Sequence, residues 1–370
     1  MGVIPHSTSV VEPNRVEFAY PEAPASSPVV SDSSGHMRSL DGLRAISIAL
    51  VLLGHLSATR GFVRLDLKIG DYAHLGVVVF FVISGFLITR LLLSEHAERG
   101  RISVRRFYAR RSLRLFPASF AFIACVALLG LAGIAHLRSQ DLWHAVTYTV
   151  NYLPHPAWEI GHLWSLSVEE QFYLLWPFAF VVLGPRRAIW LAAGVVLLGP
   201  IARSVGLLWL KAPYRDLEMF PMVADSLATG CLLAKFSGEL QQRQWYMQLF
   251  RPAWSLGLLA LILLLNRFMT YTVVAVFGAS IVNLGIAILI HRSVYLSHGW
   301  IGRILNLRPV AFVGVLSYSL YLWQQLFLNR HSTAWINAFP QNLLFAIAAA
   351  LSSYFLLEKP LLNLRRRLRG

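Results

Sequence analysis

Charge is what this sequence has little of: Asp, Glu, Lys and Arg together make up 14% of its 370 residues, where a soluble domain carries about 25%. The shortage excludes a chain covered on every side by water. Cysteine is scarcer still. Cys125 and Cys231 lie in apolar runs without a CxxC or other ligand spacing, which argues against a disulfide framework and leaves them as small core residues. No three His, Cys or carboxylate residues stand at a ligating spacing, so no metal site is expected. No basic stretch followed by an apolar core and a small-residue cleavage site opens the chain, so no signal peptide is expected. His6 stands where a myristoylation site needs Ser or Thr. Amphipathic helices with polar faces, which a large soluble helical protein would need, are missing too.

What is present is apolar: 56% of the residues are hydrophobic, gathered in runs near the roughly 20 residues that cross a hydrocarbon core. LGVVVFFVISGFLITRLLL at 75–93 and AWSLGLLALILLL from 253 are examples. The pattern predicts an all-α polytopic membrane protein of about ten transmembrane helices. They are expected near 45–60, 75–93, 116–135, 165–184, 188–210, 219–234, 253–266, 272–290, 310–328 and 341–357.

A formal charge of +15 raises nucleic-acid binding, but the distribution argues otherwise. Connections on one side of the expected spans hold about 23 Lys and Arg against about 8 on the other, the positive-inside pattern. Arg99, Arg101, Arg105, Arg106, Arg110, Arg111 and Arg114 crowd a single connection. Both termini are therefore expected in the cytoplasm. Residues 1–36, rich in Pro, Ser and Val and without a helical or strand period, read as a disordered cytoplasmic leader. A transmembrane domain is expected over 37–360 and a basic cytoplasmic tail over 361–370. The long outer connection at 136–164 reads as a lid, a binding loop or an ordinary surface connection.

Ionisable groups inside a membrane are costly, so they are functional candidates by default. In SLDGLRAISIALVLLGH (39–55), Arg44 and His55 are 11 positions apart, about 16 Å along a helix axis. Arg44, with Asp41 beside it, would lie near the cytoplasmic surface and His55 deeper. A buried imidazole can take a hydroxyl proton and return it to a leaving group; the structural alternative is a histidine hydrogen-bonded between helices. In GHLWSLSVEEQFYLLWP (161–177), Glu169 and Glu170 enter from the outer side to a similar depth. A carboxylate beside an imidazole fixes its tautomer. Neighbouring residues point about 100° apart on a helix, so only one of the pair can face His55, and which one is open.

In FYARRSLRLFP (107–117), Arg110, Arg111 and Arg114 present guanidinium groups that suit a nucleotide phosphate or lipid headgroups. Ser84 and Gly85 in FFVISGF permit close helix approach. SYSLYLWQ (317–324) brings Tyr318, Tyr321, Trp323 and Gln324, which suit either a sugar site or helix packing. Trp164, Tyr318, Trp323 and Ser84 are the candidate acceptor-binding residues.

These stretches, with the closing EKP, resemble acyltransferase family 3, the membrane proteins that include O-antigen and peptidoglycan O-acetylases. They come in the family's order over about residues 38–360. The resemblance implies ten transmembrane helices, acyl-CoA as co-substrate (acetyl-CoA most often) and a carbohydrate or glycolipid hydroxyl as acceptor. It implies His55 as catalytic base, with Glu169 or Glu170 completing the proton-transfer site. Arg44, Arg111 and Arg114, with Asp41, would hold the donor. Many relatives carry an esterase-like domain after the last helix, whereas this chain resembles the stand-alone members. Direct transfer and a covalent acyl-imidazole both remain open. The expected location is the bacterial inner (plasma) membrane. The rival functions are a proton-coupled secondary transporter of a sugar or glycan precursor and a non-catalytic subunit of a glycan export system.

Overall fold

A computed structural model describes residues 37–63, 71–209, 217–297 and 299–367. The expected leader lies outside the described residues, as do the last three residues of the expected tail. Among the described residues there are helices and turns and no strand. The helices are α1 Arg38–Leu56, α2 Tyr72–Arg99, α3 Val104–Leu131, α4 Ser139–Val146, α5 Trp158–Gly161, α6 Leu163–Ser204, α7 Phe220–Gln241, α8 Gln244–Gln248, α9 Pro252–Arg267, α10 Ala279–Tyr295, α11 Trp300–Leu305, α12 Arg308–Phe327, α13 Gln341–Ser353 and α14 Lys359–Arg367.

Local chemistry sets several of these ends. Asp71 opens α2 by accepting from the His74 backbone N–H at 3.0 Å, and Gly100 closes it at φ 65°, as N-cap and C-cap positions prefer. Ser103 caps α3 by accepting from the Arg106 N–H. Asp41 lies in the first turn of α1 and His55 in the last.

Seven helical segments among the described residues are long and apolar enough to cross a membrane. The difference from about ten has a traceable origin. One segment, Trp158–Trp209, runs for 52 residues and takes in the expected spans at 165–184 and 188–210. Its path breaks at Gly184, where φ 77° and ψ 160° are not helical. The expected span at 219–234 falls on α7, whose apolar character is diluted by Asp225 and Lys235. The span expected at 253–266 falls on α9, which has 16 residues, short of the roughly 20 that cross a bilayer. Exposed Leu128, Trp190 and Leu197 give the long helices an outward apolar surface suited to lipid.

In lipid, helices associate through close packing and small residues rather than by escape from water. Gly85 of α2 lies against the Leu227 backbone and Gly230 of α7 against the Val82 carbonyl, so a Cβ on either would overlap the partner helix. The close approach expected at Ser84–Gly85 is therefore made with α7. Around this α2–α7 contact, α1, α6, α10 and α12 enclose the interior in which the ionisable side chains collect.

Candidate active site

Two cavities occupy that interior. The larger, of about 850 Å³, is lined by His55 from α1, Asp71 and His74 at the head of α2, Trp158, His162 and Trp164 around α5 and the start of α6, and groups from α7, α10 and α12. The smaller, of about 70 Å³, is lined by Arg44, Ser84, Arg111, Arg114, Glu169, Tyr173 and Tyr318. Val77 and Tyr321 line both. The 11-residue offset between Arg44 and His55 on α1 thus places them on different cavities.

The Nδ1 atom of His55 is 2.9 Å from Oε1 of Gln324. The ring also meets Trp158 edge-on, with centroids 6.2 Å apart. Gln324 donates from Nε2 to Oε1 of Gln325 at 3.2 Å, and Gln325 donates from Nε2 to the Trp158 carbonyl at 2.9 Å. The partner of His55 is therefore an amide from α12, where a carboxylate from α6 was expected.

Both glutamates lie elsewhere. Ser84 donates to Glu169 Oε1 at 2.6 Å, and Tyr173 donates to Ser84 at 3.0 Å. The Arg111 guanidinium lies 3.6 Å over the Tyr173 ring. Glu169 therefore sits among the arginines and balances their charge in the smaller cavity. Glu170 is not among the residues lining either of these two cavities, but it lies within electrostatic range of Arg111 and Glu169 at the smaller one and of Tyr148 and Tyr318. Asp41 is buried and pairs with Arg44 at 3.5 Å. The Nε of Arg111 is buried without a hydrogen-bond partner among the described residues.

The four candidate acceptor-binding residues separate. Trp164 lines the larger cavity and stacks on His74 at 5.9 Å. Ser84 and Tyr318 line the smaller one, where the Tyr318 hydroxyl donates to the Leu115 carbonyl. Trp323 lines neither of the two and packs edge-on against Phe122.

The connection at 136–164 is ordered and builds one wall of the larger cavity through Pro156, Trp158, Gly161 and His162. Asp141 holds it together: it accepts from the Arg138 backbone at 2.8 Å, from Arg138 Nε at 3.1 Å and from the Ala157 N–H at 3.2 Å. Burial pushes the Asp141 carboxyl up, but these hydrogen bonds outweigh it and hold the group below the usual carboxylate range.

The sequence reading passed over Arg203 and Asp225, which also line the larger cavity. Arg203 makes a two-bonded pair with Asp225 at 3.0 Å and gives its remaining donors to the Met222 and Val276 carbonyls and Ser280. An Arg and an Asp inside apolar spans were the available signal.

Fold and site together define a multi-pass membrane protein with a half-buried histidine at one cavity and an arginine cluster at another. The acyltransferase domain profile matches residues 37–357, and the chain belongs to that family of acyltransferases. It is 28% identical over 328 residues to the peptidoglycan O-acetyltransferase OatA of Listeria monocytogenes, covering 79% of this chain and 49% of that protein. It is 30% identical over 313 residues to a putative O-acetyltransferase of Staphylococcus aureus, covering 78% of this chain and 50% of that one. The chain thus spans about half the length of these curated relatives. No solved structure matches it.

Proposed function

We propose that this chain moves an acyl group, acetyl first of all, from acyl-CoA to a hydroxyl of a carbohydrate or glycolipid acceptor. Exopolysaccharide, O-antigen and lipo-oligosaccharide are the acceptor types in view. The observation that carries the reading is that two cavities, one lined by arginines and the other by His55, share Val77 and Tyr321 in their walls. The smaller cavity is far below the roughly 300 Å³ of an ordinary ligand pocket. As it stands it holds only a few waters, so in this reading it marks where guanidinium groups take the CoA phosphates, and the pantetheine arm enters as the helices part. The larger cavity suits a sugar unit, whose apolar faces stack on indole rings such as Trp158 and Trp164.

In this reading His55 removes the proton from the acceptor hydroxyl, and the oxygen attacks the thioester carbonyl. The C–S bond then breaks, and the imidazolium returns its proton to the departing thiolate. The protein sits in the bacterial inner membrane with both termini in the cytoplasm, so that acyl-CoA reaches the arginines from that side. A covalent acyl-imidazole is the variant of the same chemistry.

The test supplies acetyl-CoA labelled in the acetyl group to host membranes carrying wild type or His55→Ala, with label in extracted glycans read by mass. Label with wild type alone supports the reading, and the mass shift starts to identify the acceptor. Equal labelling removes His55 from the chemistry. No labelling with either, together with substrate uptake into vesicles without acyl-CoA, would establish the transporter instead.

A further inference from the structure

Resting on the acyl-transfer reading, the geometry points to Gln324 as the positioning residue that decides which nitrogen of His55 is free to accept the hydroxyl proton. A neutral imidazole carries its proton on one nitrogen and a lone pair on the other. Gln324 Oε1 has no hydrogen to give, so its 2.9 Å contact with Nδ1 forms only when Nδ1 carries the proton. The lone pair is then on Nε2, the nitrogen left for the cavity that His55 lines.

This arrangement depends on the direction of the Gln324 amide, and that direction is anchored. Gln324 Nε2 donates to Gln325 Oε1. Gln325 can offer that oxygen because its own Nε2 is committed to the Trp158 carbonyl. A backbone carbonyl only accepts, so the chain of amides runs one way from Trp158 to His55. Turning the Gln324 amide over would set oxygen against oxygen at Gln325. Trp158 returns the contact by donating its indole N–H to the Gln325 carbonyl at 3.0 Å. Both glutamines are buried, where each hydrogen bond is hard to replace.

An amide orients the ring without adding a charge. A carboxylate in its place would stabilise the imidazolium and hold the proton that the reaction has to return. The other charged and titratable groups facing His55 are Asp71 at the head of α2, Arg330 beyond α12 and His162 before α6.

The experiment measures transfer from labelled acetyl-CoA in membranes between pH 5 and 9 for wild type, Gln324→Ala, Gln324→Glu and His55→Ala, normalised to protein present. Gln324→Ala is expected to lower kcat by roughly 10- to 100-fold, the size of loss that follows removal of the partner orienting a metal-ligating histidine, with donor KM little changed. Gln324→Glu is expected to restore part of the rate while moving the acidic limb up by about one pH unit. Wild-type rates and limbs in both variants, with His55→Ala inactive, would overturn the role of Gln324 and leave the acyl-transfer reading intact. Activity in His55→Ala would instead overturn that reading. Should the glutamine variants fail to accumulate, ¹⁵N-histidine solid-state NMR of wild type decides. The signal missing from His55→Gln is expected to report the Nδ1–H tautomer, and an Nε2–H signal would overturn the inference.

Discussion

The Ser84 hydroxyl donates to Glu169 Oε1 at 2.6 Å, tying α2 to α6 across the smaller cavity. Glu169 therefore shares its surroundings with Arg44, Arg111 and Arg114, while His55 is served by α12. In the proposed reading this division separates donor holding from proton transfer.

Glu169→Gln should accordingly act on the donor. Losing the charge leaves the arginines less well ordered, and a rise in acyl-CoA KM on the order of tenfold, ~1.4 kcal/mol, is expected with a smaller change in kcat. Steady-state transfer at varied acetyl-CoA checks it. An unchanged KM with a lost pH limb would assign Glu169 to proton transfer instead. Glu170→Gln, whose carboxylate is not among the lining groups of the smaller cavity but still faces Arg111, should raise KM by a smaller factor.

Arg203 uses all its N–H groups on α7, α10 and the turn before α10, so it pins the far wall of the larger cavity. Asp225→Ala would leave a buried guanidinium without its carboxylate, a loss of about 3–5 kcal/mol. Thermal unfolding of the purified protein in detergent should show the fall, and Asp225→Asn, which keeps the shape, should lower the midpoint less.

How far these features can be read from sequence depends on whether they are local. The apolar runs, the Arg44–His55 offset and the arginine cluster are properties of single helices, and α1, α2, α3 and α12 form where the runs predict. The rotation of one helix against another is not local. Trp323 and Gln324 are neighbours, yet the 100° turn between them sends the indole to Phe122 and the amide to His55. The same turn separates Glu169 from Glu170, and no pattern on α6 says that both avoid His55. Arg203 and Asp225 were legible as ionisable residues in apolar spans, but each gains its meaning only from the other helix.

Gly85→Ala and Gly230→Ala should each destabilise the protein, because the added Cβ overlaps backbone of the facing helix and must push α2 and α7 apart. Losses of roughly 1–3 kcal/mol are typical of such overpacking. Gly238, on the same α7 with open space around it, is the control. Gly238→Ala should be neutral or gain up to ~1 kcal/mol from helix propensity. Melting temperatures of the three variants compare the two effects directly.

The Asp141 hub should respond to acid. Its carboxyl titrates below the usual value in the folded protein and near 3.9 when unfolded, roughly the value of a free aspartate. A depressed folded value contributes stability that is present above the unfolded value and lost as pH falls through the folded one. Hydrogen-exchange protection of residues 139–161, corrected for intrinsic rates, should hold from neutral pH to about 4 and then fall. Asp141→Asn should lower protection at neutral pH and flatten the dependence.

Val77 and Tyr321 are common to both cavities, so in the proposed reading an acyl group arriving along the arginine-lined side passes between them to meet a hydroxyl held near His55. The Tyr321 hydroxyl donates to the His162 carbonyl at 2.9 Å and lies 2.5 Å from Ser165 Oγ, which keeps the ring from swinging aside. A fixed constriction favours short acyl groups, since each added methylene needs space that close packing does not supply. Val77→Ala removes two methyl groups at this point and should widen donor use. The ratio of butyryl to acetyl transfer is expected to rise on the order of tenfold, within the ~1–3 kcal/mol that a methylene-sized change in a pocket commands. Tyr321→Phe keeps the ring but frees it, so it should relax the same ratio by a smaller factor and lower stability by about 1 kcal/mol for the lost hydrogen bond. Competition between the two labelled donors in one membrane preparation measures the ratio without needing the acceptor's identity. A ratio unchanged in both variants would mean that the acyl group does not pass between these side chains.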